Sequence, residues 1–209
     1  MPYPIVLDLQ GKRCVVVGAG RVAERRVLGL LAEGAEVRVI APQATETISR
    51  LAEEGKIEWE RGHYSAPVLE GVVLAFAATD HAEVNAAVAS DGAAKNVLVC
   101  RADDPASGAF ITPAAIRQGE FLLAVSTGGN SPTLAAVLKE RLQAEFGPEW
   151  STLTRLFGAL RHEIQAITAE ADRRKAVLGI LAAKDVRAAI AAGDLETAQN
   201  LASKWISTR

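Results

Sequence analysis

Apolar residues in the first half of the chain fall into short continuous runs, and between those runs they recur at helical spacing. Arg13 to Val17 is such a run, and a strand without polar alternation is one buried on both faces, as in a parallel sheet. Glu36 to Ile40, Ile57 to Glu60, Val72 to Ala77 and Val97 to Cys100 read as further strands, and Ile5 to Leu9 as a short strand or extended lead-in. Between them, Val22 to Glu33 places Val22, Ala23, Val27, Leu30 and Leu31 on one helical face and stops at Gly34. Glu46 to Glu54 and Asp80 to Ala94 are the next helices, with Asp80 expected as the N-cap of the second. Strands alternating with helices at this spacing predict a parallel sheet with right-handed crossovers.

The pattern then changes. Phe110 to Thr112 and Phe121 to Ser126 read as two strands separated by a short helical turn, Pro113 to Gln118, and they do not continue the parallel repeat. Pro132 to Glu145 is a helix with proline where the first turn tolerates it. Beyond Gly147-Pro148 only helical periodicity remains: Glu149 to Arg174, Val177 to Leu181, Asp185 to Ala192 and Leu195 to Trp205. The expected organisation is therefore a nucleotide-binding α/β domain over residues 1–112, a central dimerisation and substrate region over 113–147, and a helical C-terminal domain over 148–209.

Composition narrows the function classes. Of 209 residues, 49% are apolar and 23% charged, an ordinary globular balance able to fill a core. The formal net charge of −2 lacks the basic footprint of a nucleic-acid binder. No apolar run approaches the ~20 residues of a membrane span, and the first residues lack the pattern of a secretory signal, so a cytoplasmic protein is expected. Cys14 and Cys100 each sit inside a strand-like run and are expected to be buried, reduced thiols. The histidines His63, His81 and His162 lie far apart and none has a partner at metal-ligand spacing, so no resident metal is expected.

The strongest chemical signal follows the first strand. Gly18-Ala19-Gly20-Arg21-Val22-Ala23 is a GxGxxA turn leading into a helix. A pyrophosphate needs a tight turn, close backbone approach and the free N–H groups of a helix start, and glycine supplies the first two because it has no Cβ. In this setting the pattern predicts a Rossmann-type dinucleotide site. The second strand ends Val39-Ile40-Ala41-Pro42, with neither the ribose-binding carboxylate common there nor an immediate arginine, so NAD and NADP are not separated by these residues. Arg21, Arg25 and Arg26 oppose the helix dipole, which fits either a nearby anion or plain solvated side chains.

Taken together, several segments resemble the precorrin-2 dehydrogenase family, which also supplies the N-terminal module of sirohaem synthase. They are Gly18 to Arg26, Val39 to Pro42, Ala77-Ala78-Thr79-Asp80 with Asn85, Asp103-Asp104-Pro105 with Phe110, and Ser126-Thr127-Gly128-Gly129-Asn130-Ser131-Pro132. In order and spacing they cover about residues 5–145. Two departures stand out: Ala19 where many relatives have glycine, and Cys100 where relatives often have asparagine. The resemblance implies oxidation of precorrin-2 to sirohydrochlorin with NAD+ as hydride acceptor, in a homodimer, with iron insertion as a second activity in some relatives.

It also implies roles. Gly18, Ala19, Gly20, Arg21, Val22, Ala41, Pro42 and Gln43 would hold the cofactor, with Thr79 and Asn85 beside it. Thr79 reads equally as a helix cap, and Asn85 as a solvated helix residue. Asp103, just past a parallel strand where ligands of such sheets bind, is the expected proton acceptor, and Asp104 is its competitor or a turn residue before Pro105. Ser126, Thr127, Gly128 and Gly129 form a polar turn that could hold a substrate carboxylate through backbone N–H groups, or serve only as a turn. Two alternatives remain open: a bifunctional dehydrogenase and ferrochelatase, and a non-enzymatic NAD-sensing module. The second leaves Asp103 and the segment Ser126 to Pro132 without a purpose.

Overall fold

A computed structural model describes residues 2–207. The chain divides into two compact units, residues 1–112 with 128–130, and residues 113–127 with 131–209.

The first unit is a five-stranded parallel sheet flanked by helices. Its elements are β1 (Arg13–Val17), α1 (Arg21–Ala32), β2 (Glu36–Ile40), α2 (Glu46–Glu53), β3 (Glu58–Glu60), β4 (Leu74–Ala77), α3 (Ala82–Lys95) and β5 (Leu98–Arg101). The strand order is β3-β2-β1-β4-β5, so the chain leaves β1 in one direction and returns to its other side at β4. Loops therefore diverge at the C-terminal end of β1, which opens the crevice where such sheets take ligands. The two sheet faces explain the continuous runs. Cys14, Val16, Val37, Val39, Leu74 and Phe76 enter one core cluster with Val27 and Leu30 of α1. Val15, Val17, Ile40, Ala75, Ala77 and Val99 enter the other with Val88 of α3. Both cysteines are buried free thiols, and burial pushes Cys14 up to about 11, so neither is a ready nucleophile near neutral pH.

Of the two readings of residues 5–9, the lead-in holds: no strand forms there, Ile5 and Val6 are exposed and pair with no sheet edge, and only Leu9 packs into the core. One expectation for this unit is corrected. The helix expected from Asp80 begins at Ala82 with His81 as the N-cap. The intervening residues form a turn in which the Thr79 hydroxyl accepts the His81 N–H, leaving the Asp80 side chain exposed.

The second unit begins with an antiparallel hairpin, β6 (Ala114–Gln118) and β7 (Phe121–Val125). Here too the sequence reading is corrected. Residues 110–112 form no strand, and the strand lies where a helical turn was expected. Ala114, Ala115, Arg117 and Gln118 favour helix locally, but Gly119 at φ +59° starts a two-residue turn that folds them onto β7. Phe110 instead packs edge-on against Phe76 in the first unit, with ring centroids 5.5 Å apart. Helix α4 (Pro132–Glu145) follows, capped by the Ser131 hydroxyl, which accepts the Leu134 N–H.

The stretch of helical periodicity from Glu149 is divided among α5 (Glu149–Ala159), α6 (Arg161–Ala166) and α7 (Glu170–Ala182), and α7 absorbs the segment Val177 to Leu181. With α8 (Lys184–Ala191) and α9 (Leu195–Ser207) they enclose Leu156, Leu160, Ile180, Val186, Ala198 and Ala202, a core that one straight helix could not surround. Gly179 lies against the indole of Trp205, leaving no room for a Cβ. Gly179→Ala is expected to lower stability by about 1–3 kcal/mol through overpacking, although alanine in a helix interior is intrinsically better than glycine by about 1 kcal/mol. Urea unfolding decides the sign: a stabilised variant would mean that the indole is not fixed there.

Candidate functional site

The first unit carries a cleft of about 820 Å³ across the C-terminal ends of β1, β2 and β4. Three loops, with residues 62–64 and the first turns of α3, build it. The first is the glycine turn. Gly18 has φ +105°, a conformation that side chains with a Cβ rarely adopt, and a Cβ there would strike the Ala78 carbonyl. Its N–H donates to the Ile40 carbonyl, 2.9 Å away, so the turn is tied to the end of β2. Gly20 differs: its backbone is extended, and a Cβ would project into open space. Gly20 is also the N-cap of α1, and no side chain caps that helix. The first intrahelical bond runs from the Glu24 N–H to the Gly20 carbonyl, so the N–H groups of Arg21, Val22 and Ala23 precede the ladder. The residues present therefore fit a dinucleotide pyrophosphate: the turn is tight, Cβ space is open at Gly20, and uncapped N–H groups stand at a helix start.

The second loop, Ala41 to Thr45, is joined to the first by the Thr45 N–H, which donates to the Ala19 carbonyl at 3.1 Å. Ala41, Pro42 and Gln43 line the cleft. Arg21 lies in an adjoining cleft with Arg25, Thr45 and Glu46, and Val22 is partly exposed on α1. The third loop is Ala78 to His81. Thr79 lines the cleft, whereas Asn85 is fully buried and does not. The cleft also takes in His63, Tyr64 and His81, which the sequence leaves unconnected. The Tyr64 hydroxyl donates to Asp91 at 2.9 Å; burial first and this bond second raise its pKa, so it stays protonated.

Asp103 lies past the end of β5, at the same end of the sheet, and is not among the residues lining the cleft. Arg101 grips it with two bonds, Nε to Oδ1 at 3.2 Å and Nη2 to Oδ2 at 2.7 Å. This side-chain bond is the main reason the Asp103 carboxyl titrates below the ordinary carboxylate range. Asp104 is also lowered, chiefly by the Ser107 hydroxyl that donates to it, and it caps a short 3-10 turn at Pro105. Arg101 is the residue that sequence reading missed. Its signal was a cation ending a buried strand two positions before the carboxylate.

In the segment Ser126 to Gly129, Gly128 and Gly129 both have positive φ, at +64° and +89°. The Thr127 hydroxyl accepts the Ser131 N–H at 3.0 Å, which sets the turn directly ahead of α4. Among the described residues no three His, Cys, Asp or Glu side chains gather into a metal-holding group, and no helix is long and apolar enough to cross a membrane.

A family model described as NAD(P)-binding matches residues 5–114, more than half of the chain. The chain belongs to this family. A second model, described as the central part of a sirohaem biosynthesis protein, matches residues 123–145. Among curated relatives, siroheme synthase of Chromobacterium violaceum is 39% identical over 173 residues, 83% of this chain and 37% of the relative. Siroheme synthase 3 of Aeromonas hydrophila is 36% identical over 200 residues, 95% of this chain and 43% of the relative. The chain thus spans about two fifths of the length of these relatives. A solved structure of SirC, a precorrin-2 dehydrogenase, superposes with a TM-score of 0.72 at 26% identity and covers 100% of both chains. The resemblance read from the motifs is borne out, and with it the Rossmann-like sheet, the small antiparallel sheet and the helical C-terminal part.

Proposed function

We propose that the chain oxidises precorrin-2 to sirohydrochlorin with NAD+, a step of sirohaem biosynthesis. The observation that carries this reading is the likeness to a precorrin-2 dehydrogenase over the full length of both chains. The glycine turn and uncapped α1 support it independently as a dinucleotide cradle. The oxidation removes a hydride and a proton from the macrocycle, and NAD+, when bound, accepts the hydride. The residues proposed to hold NAD+ are Gly18 to Val22, Ala41 to Gln43 and Thr79.

Asp103 is the proposed proton acceptor. Arg101 holds it ionised, so the base form is present at neutral pH. Depressed basicity is the corresponding cost, and positioning offsets it. A pH expectation follows. The base form of Asp103 is lost only as pH falls below the ordinary carboxylate value of 3.8. In Arg101→Met that limb moves to higher pH, since the cation favouring the charged form is gone. An unmoved limb in the pH–rate profile would remove Asp103 from the rate.

The turn Ser126 to Gly129 is proposed to receive carboxylates of the substrate on its backbone N–H groups. The protein is proposed to act as a cytoplasmic homodimer, with residues 113–147 as the dimerisation region. Leu134 and Val137 of α4 support this, both being more than half exposed. A single monomeric species in sedimentation velocity at micromolar concentration would contradict it. The reading as a whole is tested anaerobically with precorrin-2 and either NAD+ or no cofactor: sirohydrochlorin should form only with NAD+. Binding of NAD+ without turnover would favour a sensing module instead.

A further inference from the structure

We infer that Asn85 is a positioning residue: its buried amide locks the backbone of Thr79 and so fixes the wall of the nucleotide cleft, without touching the nucleotide. The inference rests on the reading of that cleft as a dinucleotide site.

Asparagine is a poor helix former, and its amide is costly to bury without partners. Yet Asn85 stands inside α3 with no exposed surface, and it is the one buried polar side chain among the described residues. Every bond of its side chain goes to one residue. Oδ1 accepts the Thr79 N–H at 3.1 Å and the Thr79 hydroxyl at 2.8 Å. Nδ2 donates to the Thr79 carbonyl at 3.0 Å. An N–H and a C=O of the same residue need an acceptor and a donor side by side, which a carboxamide supplies and a carboxylate or an apolar group does not. The residue type is therefore dictated by the turn it holds.

That turn matters because of what leans on it. A Cβ at Gly18 would meet the Ala78 carbonyl, with the Thr79 nitrogen 3.1 Å away, so the glycine turn lies in close contact with this backbone. The Ala78 N–H in turn donates to the Val17 carbonyl at 2.8 Å. Thr79, Asp80 and His81 line the cleft, and Asn85 lies behind them. A rigid Thr79 backbone thus sets both the wall of the cleft and the seat of Gly18. The Thr79 hydroxyl joins the same network, donating to Asn85 and accepting the His81 N–H at 3.2 Å, which ties the lock to the next residues of the cleft wall.

The test compares Asn85→Leu, Asn85→Asp and Val88→Ala. Val88 is a fully buried neighbour on α3 that does not line the cleft, and its truncation reports the effect of lost stability alone. Two measurements are made: NADH affinity by fluorescence titration, and amide exchange at residues 78–81 in the cofactor-free protein. Both Asn85 variants should weaken NADH by about tenfold or more, since buried backbone groups lose their partners. Exchange should rise at residues 78–81 beyond the change elsewhere. Val88→Ala should stay within about threefold of the wild type. Should Asn85→Leu not fold, Asn85→Asp carries the test, because it retains the acceptor half of the amide. Loss of stability in both Asn85 variants with unchanged NADH affinity, as for Val88→Ala, would overturn the proposal. So would an equal loss of affinity in Val88→Ala, which would make lost stability the whole effect. Failure of the wild-type protein to bind NADH would overturn the cofactor reading alone, and the exchange at residues 78–81 would still decide whether the lock exists.

Discussion

Asp103→Ala is expected to slow the oxidation by about 10²–10⁴-fold, the usual cost of removing a positioned base, while folding and NAD+ binding stay nearly intact. The carboxylate stands past the end of β5, outside both sheet clusters, so its removal opens no cavity in the core. It leaves Arg101 without its main partner, and that side chain keeps a weaker contact with Asp104 at 3.9 Å. Asp104→Ala is the internal control. It disturbs the same loop, but its carboxylate is used locally, accepting from Ser107 at the start of the 3-10 turn. It should cost the rate far less. Steady-state kinetics on the two variants decide between them: wild-type turnover in Asp103→Ala with loss in Asp104→Ala would transfer the role to Asp104. Wild-type turnover in both would send the proton elsewhere and leave the fold and the cofactor cradle standing.

The second large effect separates two glycines that the motif treats alike. Gly20→Val should fold normally, because its backbone is extended and nothing lies within 4 Å of a new Cβ. It should nevertheless abolish measurable NAD+ binding, since the side chain would fill the space above the start of α1. Gly18→Ala should do the reverse in order of cause. At φ +105° with the Ala78 carbonyl in the way, the added methyl strains the turn. A stability loss of about 1–3 kcal/mol or more is expected from backbone strain and clash together. Thermal unfolding and calorimetry with NAD+ are measured on both. A folded Gly20→Val protein with wild-type affinity would take the loop out of the site.

How far the sequence discloses this arrangement depends on what decides each element. β1, β2 and α4 are bounded as the apolar pattern predicts, because a strand buried on both faces and a proline-started helix are specified by their own residues. β6 is specified by its partner: its alanines, arginine and glutamine favour helix until Gly119 turns them onto β7. α3 hides its buried face, since that face carries Asn85, Val88 and Gly92 and no apolar stripe, so the sequence offers no cue that Asn85 points inward. The glycine turn is legible because its chemistry depends on missing Cβ atoms. The Arg101 grip on Asp103 is not, because two charges two positions apart at a strand end lie on the same side only if the backbone stays extended past it.

The central claim, that this chain couples oxidation of precorrin-2 to reduction of NAD+, is tested most directly by stoichiometry. The protein is incubated anaerobically with precorrin-2 and NAD+, and NADH and sirohydrochlorin are measured in the same sample. The account predicts that they appear together in equal amounts, and that neither appears when Gly20→Val replaces the wild type. Sirohydrochlorin forming without NADH, or NAD+ binding with no product of either kind, would contradict it.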